Sequence, residues 1–118
     1  MYVRHEVGKQ GEDEAVKYIQ NQGYKIIQRN FECRQGEIDI VAKDNNEYVF
    51  IEVKTRQNFN YGRPVDAVTE QKQKHILKAT KYYLYLHKLE NQYVRFDVIE
   101  VYKSSNKFYI NHIKQAIT

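Results

Sequence analysis

Two short runs carry the side chains best placed to do chemistry: Gly36-Glu37-Ile38-Asp39-Ile40 and Ile51-Glu52-Val53-Lys54. In each, charged residues alternate with branched apolar ones, the period of a strand with one polar and one buried face. Asp44-Asn45-Asn46-Glu47 between them reads as a two-residue hairpin loop, because Asn tolerates the positive φ of a type I′ turn. Pairing Asp44 with Glu47 and counting outwards sets Asp39 opposite Glu52 and Glu37 opposite Lys54. One face then carries Glu37, Asp39, Glu52 and Lys54, and the other Ile38, Ile40, Val49, Ile51 and Val53. Directly opposed residues have Cβ atoms ~4.5–5.5 Å apart, where like charges repel. Two carboxylates so placed call for a cation, and Mg²⁺ takes oxygen ligands from one or two carboxylates while keeping several waters. A lysine two residues along would orient a water and stabilise negative charge growing at phosphorus. These parts would suffice for metal-assisted hydrolysis of a phosphodiester. The same alternation also describes an ordinary polar outer face of a hairpin, and a slip of one residue would break the Asp39–Glu52 pairing.

The elements around the hairpin separate these readings. Glu-x-Lys recurs at Glu70 and Lys72, but there it lies in a helical pattern, where residues two apart point away from each other. The spacing predicts a first helix from Gly8 to Gln22, with Ala15 and Ile19 on its buried stripe and Gly23 as its stop. Glu12 lies on that stripe and so faces the sheet. A second helix runs from Thr69 to Lys88, with Thr69 as N-cap and Ile76, Thr80, Tyr83 and His87 as its stripe. Lys72 stands at the start of that stripe, so the helices bring one more acid and one more base towards the charged face. Strands are expected at Tyr24–Phe31, Gly36–Lys43, Glu47–Thr55, Tyr93–Tyr102 and Phe108–Ile113, with Ser104-Ser105-Asn106 as a turn. Residues Gln57 to Pro64 read as a loop, in which Phe59 and Tyr61 would pack or touch unstacked bases. The order is α-β-β-β-α-β-β, which fits a mixed sheet covered by helices.

Composition narrows the function classes. At 118 residues the chain is sized for a single domain spanning 1–118, and 42% hydrophobic with 29% charged residues is globular. The lone Cys33 excludes an intramolecular disulfide and an all-cysteine zinc site, and reads as a small packing residue. His5, His75, His87 and His112 have no metal-binding spacing, and Gly8 and Gly11 do not form a phosphate loop. No signal peptide or membrane span is visible, so the expected location is the cytoplasm. Nineteen Lys and Arg against 15 Asp and Glu give +4, which permits a polyanionic partner. Arg29, Arg34, Arg56, Arg63, Lys72, Lys74, Lys78 and Lys81 are the candidate phosphate contacts. The eleven tyrosines read mainly as packing residues.

Gly36-Glu37-Ile38-Asp39-Ile40, Val49-Phe50-Ile51-Glu52-Val53-Lys54-Thr55-Arg56 and Arg95-Phe96-Asp97-Val98-Ile99 together resemble the YraN-like family of small bacterial proteins. Gly11-Glu12 with Ala15, and Tyr61-Gly62 with Pro64 and Val68, fit it as well. The resemblance spans nearly the whole chain. It implies the restriction-endonuclease-like PD-(D/E)xK superfamily, with an α/β fold and an α-β-β-β-α-β core, and a similarity to archaeal Holliday-junction resolvases. Carried over, Asp39 and Glu52 are the metal ligands for Mg²⁺ or Mn²⁺, Lys54 the catalytic lysine and Glu12 an additional acid from the first helix. Lys72 receives no role from it. Ile38 stands where the superfamily often has proline. The expected activity is a nuclease acting on DNA, with RNA as a second substrate class, and the resolvases' dimers admit a homodimer. Superfamily membership does not fix activity. A catalytically silent nucleic-acid-binding or adaptor domain is the alternative, and a structural partner in a larger assembly a third.

Overall fold

The apolar faces of the central hairpin are each covered by a helix. The computed structural model describes residues 3–56 and 69–117. In chain order they form α1 (Val3–Asn21), β1 (Lys25–Cys33), β2 (Gly36–Asp44), β3 (Glu47–Arg56), α2 (Glu70–Leu86), β4 (Tyr93–Ser104) and β5 (Lys107–Ile113). The strands make one five-stranded sheet in the spatial order β1-β2-β3-β4-β5. β3 and β4 run parallel, and every other neighbouring pair is antiparallel. Parallel neighbours need a crossover, and α2 lies in the connection between β3 and β4. The architecture is α/β with a mixed sheet, in the element order expected.

Two clusters fill the core. Ala15 and Ile19 of α1 pack with Ile40, Ala42, Val49, Ile51, Ile99 and Val101. Ile76, Ala79 and Tyr83 of α2 pack with Phe31, Ile38, Val41, Phe50 and Val98. α1 ends as its Gly23 foretold: Gly23 takes φ 92°, its N–H donates to the Gln20 carbonyl, and the Tyr24 N–H donates to that of Ile19. α2 begins at Thr69, whose Oγ1 accepts from the Lys72 N–H at 3.2 Å. α2 ends sooner than the stripe suggested. His87 is its C-cap, exposed, with its ring 4.2 Å from that of Tyr83, and is not a buried stripe residue. Gly11 lets α1 approach the sheet: a Cβ there would lie 2.1 Å from Thr55 Oγ1. No helix among the described residues is long and apolar enough to cross a membrane.

The hairpin register is the expected one from Asp44↔Glu47 to Ile40↔Ile51, where the ladder stops, so the expected pairs Asp39–Glu52 and Glu37–Lys54 are not part of it. Two further details differ. Only Asn45 takes positive φ, at 57°, whereas a type I′ turn needs it at both central residues. The even alternation along β2 also breaks at Asp39: Ile40 packs in the α1 cluster but Ile38 in the α2 cluster. β1 breaks at the same level. Arg29, opposite Ile40, bonds the α1 acids, while Phe31, opposite Ile38, stacks on Tyr83 of α2. Asn30 between them takes φ 54°, a left-handed residue that turns the strand's side chains over. Glu37 is thereby left exposed, and the expectation that it shares a face with Glu52 and Lys54 is corrected.

Candidate functional site

Asp39 sits at this break. Its Oδ2 accepts from the Val53 N–H at 2.8 Å, so a side chain stands in for the backbone acceptor where the β2–β3 ladder stops. It lines a groove of about 760 Å³ between α1 and the sheet, together with Glu12 and Asp13 of α1, Arg29 of β1, and Val53 and Thr55 of β3. Burial pushes the Asp39 carboxyl up to about 7, with Glu52 adding the next largest effect and Glu12 and Glu37 smaller ones, against the Val53 N–H. Three other acids thus act on the Asp39 carboxyl.

Two lysines answer Glu52. Its Oε1 lies 3.3 Å from Lys54 Nζ and 3.0 Å from Lys72 Nζ. Lys72 reaches it because the Thr69 cap sets the first turn of α2 over β3. Burial lowers the Lys54 pKa, Lys72 beside it lowers it further, and Glu52 opposes both. Lys72 is shifted the other way: burial lowers it, but hydrogen bonding with Lys54 and Glu52 outweighs that.

The remaining candidates divide. Glu12 faces the groove, as its stripe position requires. Arg29 pairs with Asp13 at 2.7 Å and Glu12 at 3.4 Å, so its charge is already answered. Arg34, Lys74, Lys78 and Lys81 are exposed. Arg56 is half-buried, and its Nε is 4.0 Å from Glu100. Arg63, and Asn58 to Pro64 with Phe59 and Tyr61, lie outside the described residues, as do Gly62 and Val68. Cys33 is half-buried, and its thiol donates to the Gly36 carbonyl at 3.3 Å.

One network escaped the sequence reading. Arg95 of β4 donates to Asp97 at 3.0 and 3.1 Å, to Asp44 and Glu47 at 3.2 Å each, and to the Tyr24 hydroxyl. Asp97, fully buried, also accepts from His112 Nε2 at 2.7 Å and from the Gln115 N–H at 3.1 Å. Burial alone would raise the Asp97 carboxyl, but the bonds from His112, Arg95 and Gln115 hold it below its ordinary value. The network clamps the hairpin turn to β4. The available signal was Arg-x-Asp inside an apolar strand, two like-facing polar residues that had to find partners or stay out of the core.

Glu12, Asp39, Glu52, Lys54, Lys72, Arg95 and Asp97 lie within a stretch that other proteins share. The model for the family described as "Uncharacterised protein family UPF0102" matches residues 11–101. A UPF0102 protein of Caldicellulosiruptor saccharolyticus is 43% identical over 115 residues, covering 96% of this chain and 98% of its own. One from Clostridium perfringens strain 13 is 45% identical over 112 residues, 93% of this chain and 92% of its own. One from Clostridium botulinum strain Hall is 52% identical over 101 residues, 85% of this chain and 82% of its own. With a family model over residues 11–101 and relatives of this identity over most of the chain, the chain belongs to the UPF0102 family, the YraN-like family that its motifs resemble.

Proposed function

We propose that the protein is a divalent-metal-dependent nuclease with a restriction-endonuclease-like core, hydrolysing phosphodiester bonds of DNA, with branched and single-stranded forms as the first substrates to test. The observation that carries this reading is the Asp39 carboxyl. It stands at the end of the β2–β3 ladder, pushed up to about 7 by burial and by Glu52, in a groove open to a ligand. A carboxylate kept in such company, with no catalytic use, would be a cost without return. The α-β-β-β-α-β order with β3 and β4 parallel supports the fold assignment.

The donor set fits Mg²⁺ or Mn²⁺. Among the described residues no three His, Cys, Asp or Glu side chains gather as a cage. A hard cation that keeps waters and takes the rest of its ligands from substrate phosphates needs only one or two carboxylates. Asp39 and Glu52 would hold it, and once bound it would act as a Lewis acid and make a bound water more acidic. Lys54, with its lowered pKa, orients the attacking water or the scissile phosphate. Lys72, 3.0 Å from Glu52 on the first turn of α2, meets phosphate charge. Glu12 adds a carboxylate from α1 on the groove side. Arg56 is the phosphate contact beyond the centre.

The test is a labelled panel of single strand, duplex, flap and four-way junction, with matching RNA, incubated with Mg²⁺, Mn²⁺ or EDTA. Wild type and Asp39→Asn are purified identically. Metal-dependent cutting by wild type that the variant lacks is expected. Equal cutting by both would remove Asp39 from the site. A second reading, a binding domain without turnover, draws on Glu52 Oε1 being already shared by two lysines. Binding by both proteins with no cutting by either would favour it.

A further inference from the structure

The face of β3 that carries Glu52 and Lys54 continues to Arg56, about 6.6 Å beyond Lys54 at the rise of a strand. The parallel neighbour β4 sets Glu100 beside Lys54 and Tyr102 beside Arg56. Glu100 is 0% exposed, the most deeply buried acid among the described residues, with Asp97 next at 2%. Its Oε1 accepts from the Tyr102 hydroxyl and from Asn111 Nδ2, both at 2.9 Å. Its Oε2 is buried with no hydrogen-bond partner. Arg56 Nε, 4.0 Å away, is likewise buried and unbonded. Yet the Arg56 side chain keeps 23% of its surface in solvent.

A carboxylate buried in a sheet is costly unless a cation answers it. Tyr102 and Asn111 supply hydrogen bonds but no charge, so Arg56 is the counter-charge at hand. The separation is too long for a hydrogen bond and short enough for attraction. A fork-to-fork pair would have spent two guanidinium donors on the acid. Here the acid holds the arginine by its inner edge and leaves donors over. An arginine that is fixed, charged and under-used suits a phosphate oxygen better than a lysine would.

We propose that Glu100 is a positioning residue that steers Arg56 into a phosphate-binding subsite, for the phosphate adjoining the one at Lys54 along the bound strand. The proposal rests on the nuclease reading above, and binding measured without turnover separates the two. The protein is Asp39→Asn in EDTA, and the readout is fluorescence anisotropy of a labelled oligonucleotide, single-stranded and duplex, across a salt series. Arg56→Ala is expected to weaken binding about tenfold and to lower the slope of log affinity against log salt by roughly 0.7–0.9, the loss of one phosphate contact. Glu100→Gln keeps the shape and the bonds to Tyr102 and Asn111, and is expected to lose most of the same affinity. Combined with Arg56→Ala it should cost nothing more, because both act through one contact. Arg56→Lys keeps the charge and loses the fork, so it should weaken binding while preserving the slope. It also keeps the proposal testable if Glu100→Gln melts early. Wild-type affinity and slope in Arg56→Ala would overturn the subsite. Additive losses in the double variant would make Glu100 merely structural. Absence of any binding by the Asp39→Asn protein would remove the nuclease reading and the subsite together.

Discussion

Asp39 does two jobs at one atom's remove. One oxygen closes the ladder through the Val53 N–H, and the carboxyl as a whole faces three other acids. Its folded pKa, about 7, stands above the ordinary 3.8, so the folded state binds the extra proton. The stability this gives is present in full below pH 4 and is lost as pH rises through 7. Asp39→Asn, which still accepts from Val53, should therefore be more stable than wild type at pH 8 in EDTA, by on the order of 2 kcal/mol. The gap should close as pH falls from about 7 towards 4. Thermal melts at both pH values test this, and an equal gap at both would refute the buried-acid account. A ¹⁵N-labelled sample gives a second view, since the Val53 amide resonance should titrate with Asp39. On the nuclease proposal, Lys54→Ala should abolish cutting while oligonucleotide binding falls by no more than one contact's worth. The hairpin was legible in the sequence as far as Ile40 and Ile51, because counting needs only the turn, but the counted pairs Asp39–Glu52 and Glu37–Lys54 lie past the end of the ladder. The pull of Glu12 on Asp39 was legible only as a direction, from a helix stripe.

α1 meets the sheet through Gly11, and helix propensity and packing give opposite forecasts there. Alanine is the better helix former by about 1 kcal/mol. At Gly11, however, the new methyl would lie 2.1 Å from Thr55 Oγ1 and 3.0 Å from its Cβ, so α1 must lift off β3. Overpacking of that kind costs about 1–3 kcal/mol, and Gly11→Ala should lower stability on balance and widen the groove. Gly8→Ala, with nothing within 4 Å of its added carbon, should gain about 0.5–1 kcal/mol. Paired denaturation curves decide, and a stabilised Gly11→Ala would contradict the close approach. The elements themselves were legible: Gly23 and Thr69 marked helix ends, and alternation marked the strands. The face switch at Asn30 and Asp39 was not. In β1 one left-handed residue, Asn30, leaves the strand's composition intact while exchanging which helix its side chains touch, and β2 switches beside it.

Across the whole molecule, the Arg95 network joins parts that the sequence keeps far apart. Tyr18 of α1 meets His112 of β5 across 94 positions, with its hydroxyl 3.1 Å from Nδ1. Arg95 ties the β2–β3 turn to β4. Such contacts follow from the sheet order, which no local period contains, so the sequence reading noted Arg95 and Asp97 without finding their partners. Arg95→Met should cost about 3–5 kcal/mol, the range for stripping a buried charge of its partner, and the loss should register in one cooperative transition. Asp97→Asn in the same background should recover part of it, and failure to recover would place the damage in packing instead. Asp97 is in place once β4 exists, but two of its partners, His112 and the Gln115 N–H, come from β5 and the turn after it. While β5 is undocked the sheet holds a buried acid half-satisfied, so the edge strand locks the sheet by completing an acid's hydrogen bonds as well as by covering apolar surface.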